Sequence, residues 1–292
     1  AGFTNLGRDH MDYHATPEDY FQAKAGLFTR VLPEGATSVI NVDDKAGVRL
    51  AGMARGPVIT VGEKEGAELR ILGARYDLEG QELRFSWKGQ VQIARLPLIG
   101  GFQGSNALIA AGLVIACGAR AEDVFRTLPG LRGVRGRMQM AAQRDNGAAV
   151  YVDYAHTPGA LETALKALRP HVMGRLLVVF GAGGDRDPGK RPLMGAAARD
   201  NADVVYVTDD NPRSEDPATI RAAIMEAVPE ANEIGDRAEA ILTAIDALQP
   251  GDALVIAGKG HETGQIIGDD VLPFDDAEQA SIAVAALEGR LA

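Results

Sequence analysis

Four short polar runs carry most of the residue types in this chain that do chemistry, and each follows an apolar run rich in β-branched residues. Asp153-Tyr154-Ala155-His156-Thr157 follows Ala149-Val150-Tyr151-Val152, and Gly183-Gly184-Asp185-Arg186-Asp187 follows Leu176 to Phe180. Thr208-Asp209-Asp210-Asn211-Pro212-Arg213 follows Asp203 to Val207, and Gly258-Lys259-Gly260-His261-Glu262 follows Ala253 to Ala257. Together they offer Arg186 and Arg213 as forked cations, Asn211 as a two-way hydrogen bonder, and Asp210 and Glu262 as acceptors. An arginine fork suits a carboxylate and a carboxylate suits an ammonium, so the set predicts a site for a zwitterionic, amino-acid-like group. Mutual pairing in a solvated surface network explains any one of these charges equally well, but it explains four strand-end loops on one rim less well.

What must position them is a parallel sheet with helical crossovers, in which every strand points the same way and the loops emerge along one rim. Strands are expected near 148–152, 175–180, 203–208 and 253–257, and helices near 158–169, 190–200, 217–228, 236–248 and 276–289. That alternation predicts a doubly wound α/β domain. Upstream, Ser38 to Val42 and Val58 to Val61 read as short strands, and Glu68 to Leu96 alternates apolar and polar residues with Gly80 and Gly89 at turns. A small antiparallel sheet appended to a parallel one is expected there. An Ala/Leu/Ile helix running to Cys117 follows Phe102-Gln103-Gly104-Ser105-Asn106, and a second helix begins near Glu122. Asn106 on its own reads as a local hydrogen bonder. Leu131 to Arg137 is glycine-rich, basic and aperiodic, so the boundary is placed there, giving domains 1–136 and 137–292.

Near the start, Arg8, Asp9, His10, Asp12 and His14 precede Thr16-Pro17-Glu18-Asp19, a helix start with Thr16 as cap, and a helix to about Val31. Tyr20, Leu27 and Val31 share a face at helical spacing, and Lys24 falls on that face. A lysine so placed must snorkel or be neutralised, and snorkelling at a domain edge is the simpler reading. Gly184 to Arg191 has the glycine and lysine spacing of a phosphate-binding P-loop, but Arg191 replaces the magnesium-holding hydroxyl, Asp185 and Asp187 would repel phosphate, and Pro188 removes a donor.

With 292 residues, 46% hydrophobic and 24% charged, the composition is that of a globular protein of two ordinary domains. A net charge of -10 without a Lys/Arg block argues against nonspecific binding to nucleic acid or anionic lipid. No apolar run reaches the length of a membrane span, and the first residues lack a signal peptide's pattern. The lone cysteine, Cys117, excludes an intrachain disulfide and is expected to be inert core in a reducing cytosol.

These stretches, with Thr4 to His14, Val152 to Pro158, Gly183 to Arg191, Asp210 to Arg213 and Gly258 to Glu262 taken in order, resemble the motif series of the Mur ligase family. The match is nearest its diaminopimelate-adding branch, of which Asp-Asn-Pro-Arg is characteristic. The resemblance implies part of the central, ATP-binding domain followed by the whole Rossmann-like carboxyl-terminal, amino-acid-binding domain. It implies a cytoplasmic, monomeric, ATP- and Mg2+-dependent ligase of peptidoglycan precursor synthesis that joins meso-diaminopimelate to UDP-N-acetylmuramoyl-L-Ala-D-Glu through an acyl phosphate. Arg186, Asn211, Arg213, Gly258 and Glu262 would bind diaminopimelate, with Arg213 on the carboxylate of its distal stereocentre. Asn106, Arg137, Asp153, Tyr154 and His156 would contact the nucleotide. His10 and a carbamylated Lys24 would hold the metal and serve catalysis.

Two departures accompany the resemblance. Gln103 stands where many family members have asparagine, and the family's P-loop, an acidic metal ligand and the UDP-binding domain would all precede Ala1. Turnover by this chain alone is therefore not expected. The competing reading is a non-catalytic module that binds diaminopimelate or a peptidoglycan precursor, which a genuine start codon near Ala1 would favour. A glutamate-adding ligase related to folylpolyglutamate synthetase is disfavoured by Arg213.

Overall fold

The structure, a computed structural model, describes residues 1–7, 13–77 and 79–290. The chain divides into two compact units, Ala1–Arg132 and Gly133–Ala292, within the glycine-rich basic segment.

The first unit runs β1 (Gly2–Phe3), α1 (Pro17–Gly26), β2 (Ser38–Asn41), α2 (Lys45–Ala51), β3 (Val58–Gly62), β4 (Leu69–Asp77), β5 (Gly80–Trp87), β6 (Gln90–Leu96), α3 (Phe102–Ala116) and α4 (Ala121–Thr127). Among the described residues its strands form one six-stranded sheet in chain order. β1 to β4 pair parallel and β4 to β6 antiparallel, so the expected antiparallel sheet continues the parallel one through β4. Alternation along β2 puts Val39 into a cluster with Leu69, Leu83, Phe85 and Leu108, and Ile40 into another with Phe3, Phe21, Phe28 and Leu50.

α1 corrects two expectations. Thr16 caps it by accepting from the Asp19 N–H at 3.1 Å, and Pro17 occupies its first turn. The buried face, however, is Phe21, Ala25 and Phe28, while Leu27, Val31 and Lys24 are exposed. The helix has two apolar stripes, and the one with two phenylalanines buries more surface, about 1.5–3 kcal/mol for each ring. Past Gly26 the helix loosens into a π turn, Leu27–Val31, which ends the 3.6-residue repeat on which the other stripe depends. Lys24 is therefore not set against the buried apolar face: it is exposed, with its Nζ 5.0 Å from the Tyr20 ring centroid. Cys117 is also exposed rather than core, because it caps α3 beyond the last buried turn.

The second unit runs β7 (Gln139–Gln143), β8 (Ala149–Asp153), α5 (Pro158–Leu168), β9 (Leu176–Phe180), α6 (Lys190–Asn201), β10 (Val204–Val207), α7 (Pro217–Met225), β11 (Asn232–Glu233), α8 (Arg237–Asp246), β12 (Ala253–Ala257), β13 (Gly264–Ile267), β14 (Asp270–Pro273) and α9 (Asp276–Leu287). The strand order of its sheet is β11-β10-β9-β12-β8-β7, parallel except for β7. Every residue of β8, β9 and β12 is buried, as expected for strands covered on both faces. Val150, Val152, Leu177, Val179, Leu254 and Ile256 pack with α8 and α9 residues, and the alternating set, Tyr151, Val178 and Val255, points the other way. β13 and β14 form a separate antiparallel hairpin. Among the described residues no helix is long and apolar enough to cross a membrane.

Candidate functional site

Parallel register aligns the strand ends, with Ala257 opposite Asp153 and Val207 opposite Phe180. The four polar loops consequently leave the second unit's sheet along one rim. They approach so closely that side chains are excluded at several positions. A Cβ on Gly184 would lie 1.9 Å from the Pro212 carbonyl oxygen, and one on Gly258, at φ +118, would lie 2.6 Å from Asp210 Oδ2.

The loop after β10 is held in place from both sides. Arg213 takes a left-handed backbone conformation, φ +54, which is costly for a side-chain-bearing residue. The hairpin supports it: the Arg213 N–H donates to the Ile266 carbonyl at 3.1 Å, and the Arg213 carbonyl accepts from the Gly268 N–H at 2.8 Å. Its guanidinium Nη1 donates to the Gly184 carbonyl at 2.9 Å, which keeps the fork on the rim. Asn211 is buried, and its Oδ1 accepts from Lys259 Nζ at 2.7 Å and from the Ile266 N–H at 3.0 Å. Its Nδ2 donates to Glu262 Oε2 at 3.0 Å. The expected two-way hydrogen bonder is thus a donor only toward a ligand, because its oxygen is already saturated.

Lys259 lies within the Gly258 to Glu262 run, where its neighbours in sequence mark no role for it. It is completely buried, donates to the Gly264 carbonyl at 2.7 Å and lies 3.8 Å from Glu262 Oε2; burial lowers its pKa. Asp210 is nine-tenths buried, with its carbonyl accepting from Gln265 Nε2 at 2.8 Å. Below the rim, Arg237 makes a fully buried two-pronged pair with Asp276 at 2.7 Å and also donates to the carbonyls of Ala257 and Asp209, tying the ends of β12 and β10 together. No sequence signal marks it, since Asp236-Arg237 reads only as a helix start.

Arg186 differs from Arg213. It is exposed, and its Nη1 donates to the carbonyl of its neighbour Asp185 at 3.0 Å. Asp185, at φ +53, turns away to accept from Ser214 Oγ at 2.7 Å. Buried Arg191 donates to both oxygens of Glu215 at 2.8 Å and holds its carboxyl below the usual range. The Gly189 N–H donates to Asp187 Oδ1 at 2.9 Å and Lys190 Nζ donates to the His156 carbonyl at 3.0 Å. Donors that a phosphate cradle would need are therefore engaged within the protein.

At the other end of the rim, buried Asp153 accepts from the N–H groups of Met138 at 2.8 Å and Ala155 at 2.9 Å, and burial raises its pKa. The Arg137 guanidinium lies 4.6 Å from the Tyr154 ring centroid, with the His156 and His261 rings at 4.6 and 5.1 Å. Gly136 permits this gathering, because a Cβ there would meet the Gly260 carbonyl carbon at 2.3 Å. The result is a polar and aromatic shelf with one oriented carboxylate, a surface suited to a stacked base and a hydroxyl.

The structure brings Arg137, Asp153, Tyr154, His156, Arg186, Asn211, Arg213, Gly258 and Glu262 onto the rim of the second unit. Asn106 lies on α3 of the first unit, exposed, with Nδ2 3.4 Å from Gln103 Oε1. Lys24 lies on α1 of that unit, and His10 falls outside the described residues. Among the described residues no three His, Cys, Asp or Glu side chains converge to hold a metal.

A parallel-sheet domain with a charged, polar rim, preceded in the chain by a mixed sheet, has a known counterpart: the chain belongs to the Mur ligase family. Residues 1–114 match the Mur ligase middle domain, and residues 136–260 match the glutamate ligase domain of Mur ligases. Within the family its sequence is similar to UDP-N-acetylmuramoyl-L-alanyl-D-glutamate--2,6-diaminopimelate ligases. The one from Chelativorans sp. (strain BNC1) is 52% identical over 97% of this chain and 59% of its own length. That from Caulobacter vibrioides is 52% identical over 99% of this chain and 59% of its own. A solved ligase of the same name superposes with a TM-score of 0.69 at 37% identity, covering 98% of this chain and 60% of the other. A Mycobacterium tuberculosis folylpolyglutamate synthase shares the fold, with a TM-score of 0.70 at 21% identity. The chain spans about 60% of the length of the curated relatives it matches.

Proposed function

We propose that this chain supplies the amino-acid-binding rim and part of the ATP-binding domain of a ligase that joins meso-diaminopimelate to UDP-N-acetylmuramoyl-L-Ala-D-Glu. Residues 1–136 would serve ATP and residues 137–292 the amino acid. The observation that carries the reading is the cluster of Arg213, Asn211 and Glu262: a fork and an amide donor for a carboxylate beside a carboxylate for an ammonium. Lysine lacks the second carboxylate that Arg213 would take. Gly258 would let the amino acid approach the backbone, and Arg186 would close on it from the loop after β9.

ATP would phosphorylate the D-glutamyl carboxylate, and the amine of diaminopimelate would then displace phosphate to form the amide. What the rim contributes is orientation, holding the distal zwitterion so that the other amine faces the acyl carbon. Asp153 and the Arg137–Tyr154 stack, with His156 nearby, fit the ribose and base of a nucleotide, while Asn106 of the first unit is by itself a candidate nucleotide contact. Mg2+ held by His10 and carbamylated Lys24 belongs to the same proposal, where it would offset phosphate charge. Lys24 Nζ lies 5.0 Å from the Tyr20 ring centroid and His10 falls outside the described residues, so the chemistry of the rim stands without the metal. The protein would act as a cytoplasmic monomer without nucleic acid or membrane insertion.

Calorimetric titration with meso-diaminopimelate and with L-lysine tests the reading. Binding of the first and not the second, lost in Arg213→Ala, is expected. Equal binding of lysine would remove Arg213 from the role given to it.

A further inference from the structure

Lys259 is the rim residue that the proposed reaction leaves without a task, although an ammonium with no exposed surface is costly unless fully paired. Its partners come from three segments: Asn211 Oδ1 from the loop after β10, the Gly264 carbonyl from the start of β13, and Glu262 Oε2 from the loop after β12. Asp210 and the Arg237–Asp276 pair supply the surrounding field, one negative charge and one neutralised pair. The Ile266 N–H reaches the same Asn211 oxygen. Turning the amide over would set its NH2 against an ammonium and an N–H, two donor–donor contacts, so the network admits one orientation.

We propose that Lys259 is a positioning residue: it locks the Asn211 amide with its nitrogen toward Glu262, making Asn211 a donor-only contact for a ligand carboxylate and placing the Glu262 carboxylate beside it for an ammonium. The proposal rests on the rim being the diaminopimelate site and explains how that site distinguishes the two ends of a zwitterion. Without the ammonium, the Asn211 oxygen keeps only the Ile266 N–H, the Gly264 carbonyl loses its buried partner, and Glu262 loses its nearest cation.

Lys259→Met keeps an unbranched side chain of similar length and removes the charge. Dissociation constants for meso-diaminopimelate are measured calorimetrically on the unaltered chain, Lys259→Met, Asn211→Ala and the double variant, each with its melting temperature. Each single change is expected to weaken binding at least about tenfold, as for a lost charge-assisted hydrogen bond. The double variant should bind about as weakly as Asn211→Ala alone, because residues acting through one another are not additive. Additive losses, or a lower melting temperature with unchanged affinity, would overturn the proposal. A second measurement needs neither variant nor ligand: proton–proton contacts of the Asn211 side-chain amide in nuclear magnetic resonance spectra. Stronger contacts from its NH2 to the Glu262 side chain than to the Ile266 N–H and the Lys259 terminal methylene are expected; the reverse order of intensities would overturn the locked orientation. If the unaltered chain binds no diaminopimelate, the functional reading fails, while the amide contacts still decide the role of Lys259.

Discussion

The two units carry their charges differently. In the first, pairs such as Glu18–Arg49 and Asp77–Arg95 lie at the surface, with side chains 37–54% exposed. In the second, Arg237–Asp276 has no exposed surface, and Lys259, Asn211 and Arg191 are buried within the loops that build the rim. Surface pairs trade one solvated state for another and contribute little, whereas a buried charge that loses its partner is uncompensated. The same contrast separates the candidate residues of the two units. Arg213, Asn211 and Glu262 are oriented before any ligand arrives, while Lys24 and Asn106 are exposed and loosely held.

Breaking the buried side of this contrast gives the largest effect. Arg237→Met strands the Asp276 carboxylate and is expected to lower the unfolding free energy of the second unit by about 3–5 kcal/mol in denaturant titrations. A loss near that of a surface substitution would erase the distinction between the units. Arg213→Gly sharpens it, because glycine suits φ +54: diaminopimelate affinity should fall at least about tenfold while stability holds or rises by up to about 1 kcal/mol. Parallel loss of both would mean that Arg213 is mainly a structural brace.

Smaller effects belong to the first unit. Lys24→Ala and Asn106→Ala should each leave stability within about 0.5 kcal/mol by thermal melting. The smallest is electrostatic. Arg49 and Arg95 hold the Glu18 and Asp77 carboxyls at about 2, below ordinary values of 4.5 and 3.8. A lowered folded-state pKa gives stability that is present above the ordinary value and lost as pH falls through the folded one. The melting temperature of the first unit should therefore fall modestly from about pH 4.5 to about 2, and less so in Asp77→Asn. An unchanged acid response in that variant would contradict the pairing.

The rim was legible because its signal is local. A β-branched apolar run followed by glycines and charges marks a buried strand and its loop, and four repeats of that pattern predict a shared edge. The cross-connections were not legible. Lys259 sits between two glycines in a polar loop, and nothing in its neighbours reveals that Asn211, 48 positions away, takes its proton donor. Arg237 and Asp276 are likewise joined only by the fold. On α1 the periodicity admitted two stripes, and partners elsewhere in the chain, Phe3, Ile40 and Leu50, selected Phe21 and Phe28 over Leu27 and Val31. β7, bulged between Met140 and Ala142, lacks clean alternation, which left its pairing with β8 unread. The family resemblance suggested roles that residue patterns alone did not, including the proposed ones of Asn106 and Lys24.

A crystal structure of the chain with meso-diaminopimelate would test the central claim most directly. The distal carboxylate should lie against the Arg213 guanidinium and Asn211 Nδ2, with the neighbouring ammonium against Glu262 and the Asn211 oxygen still held by Lys259. A ligand seated away from these side chains, or one whose carboxylate and ammonium exchange places on them, would contradict it.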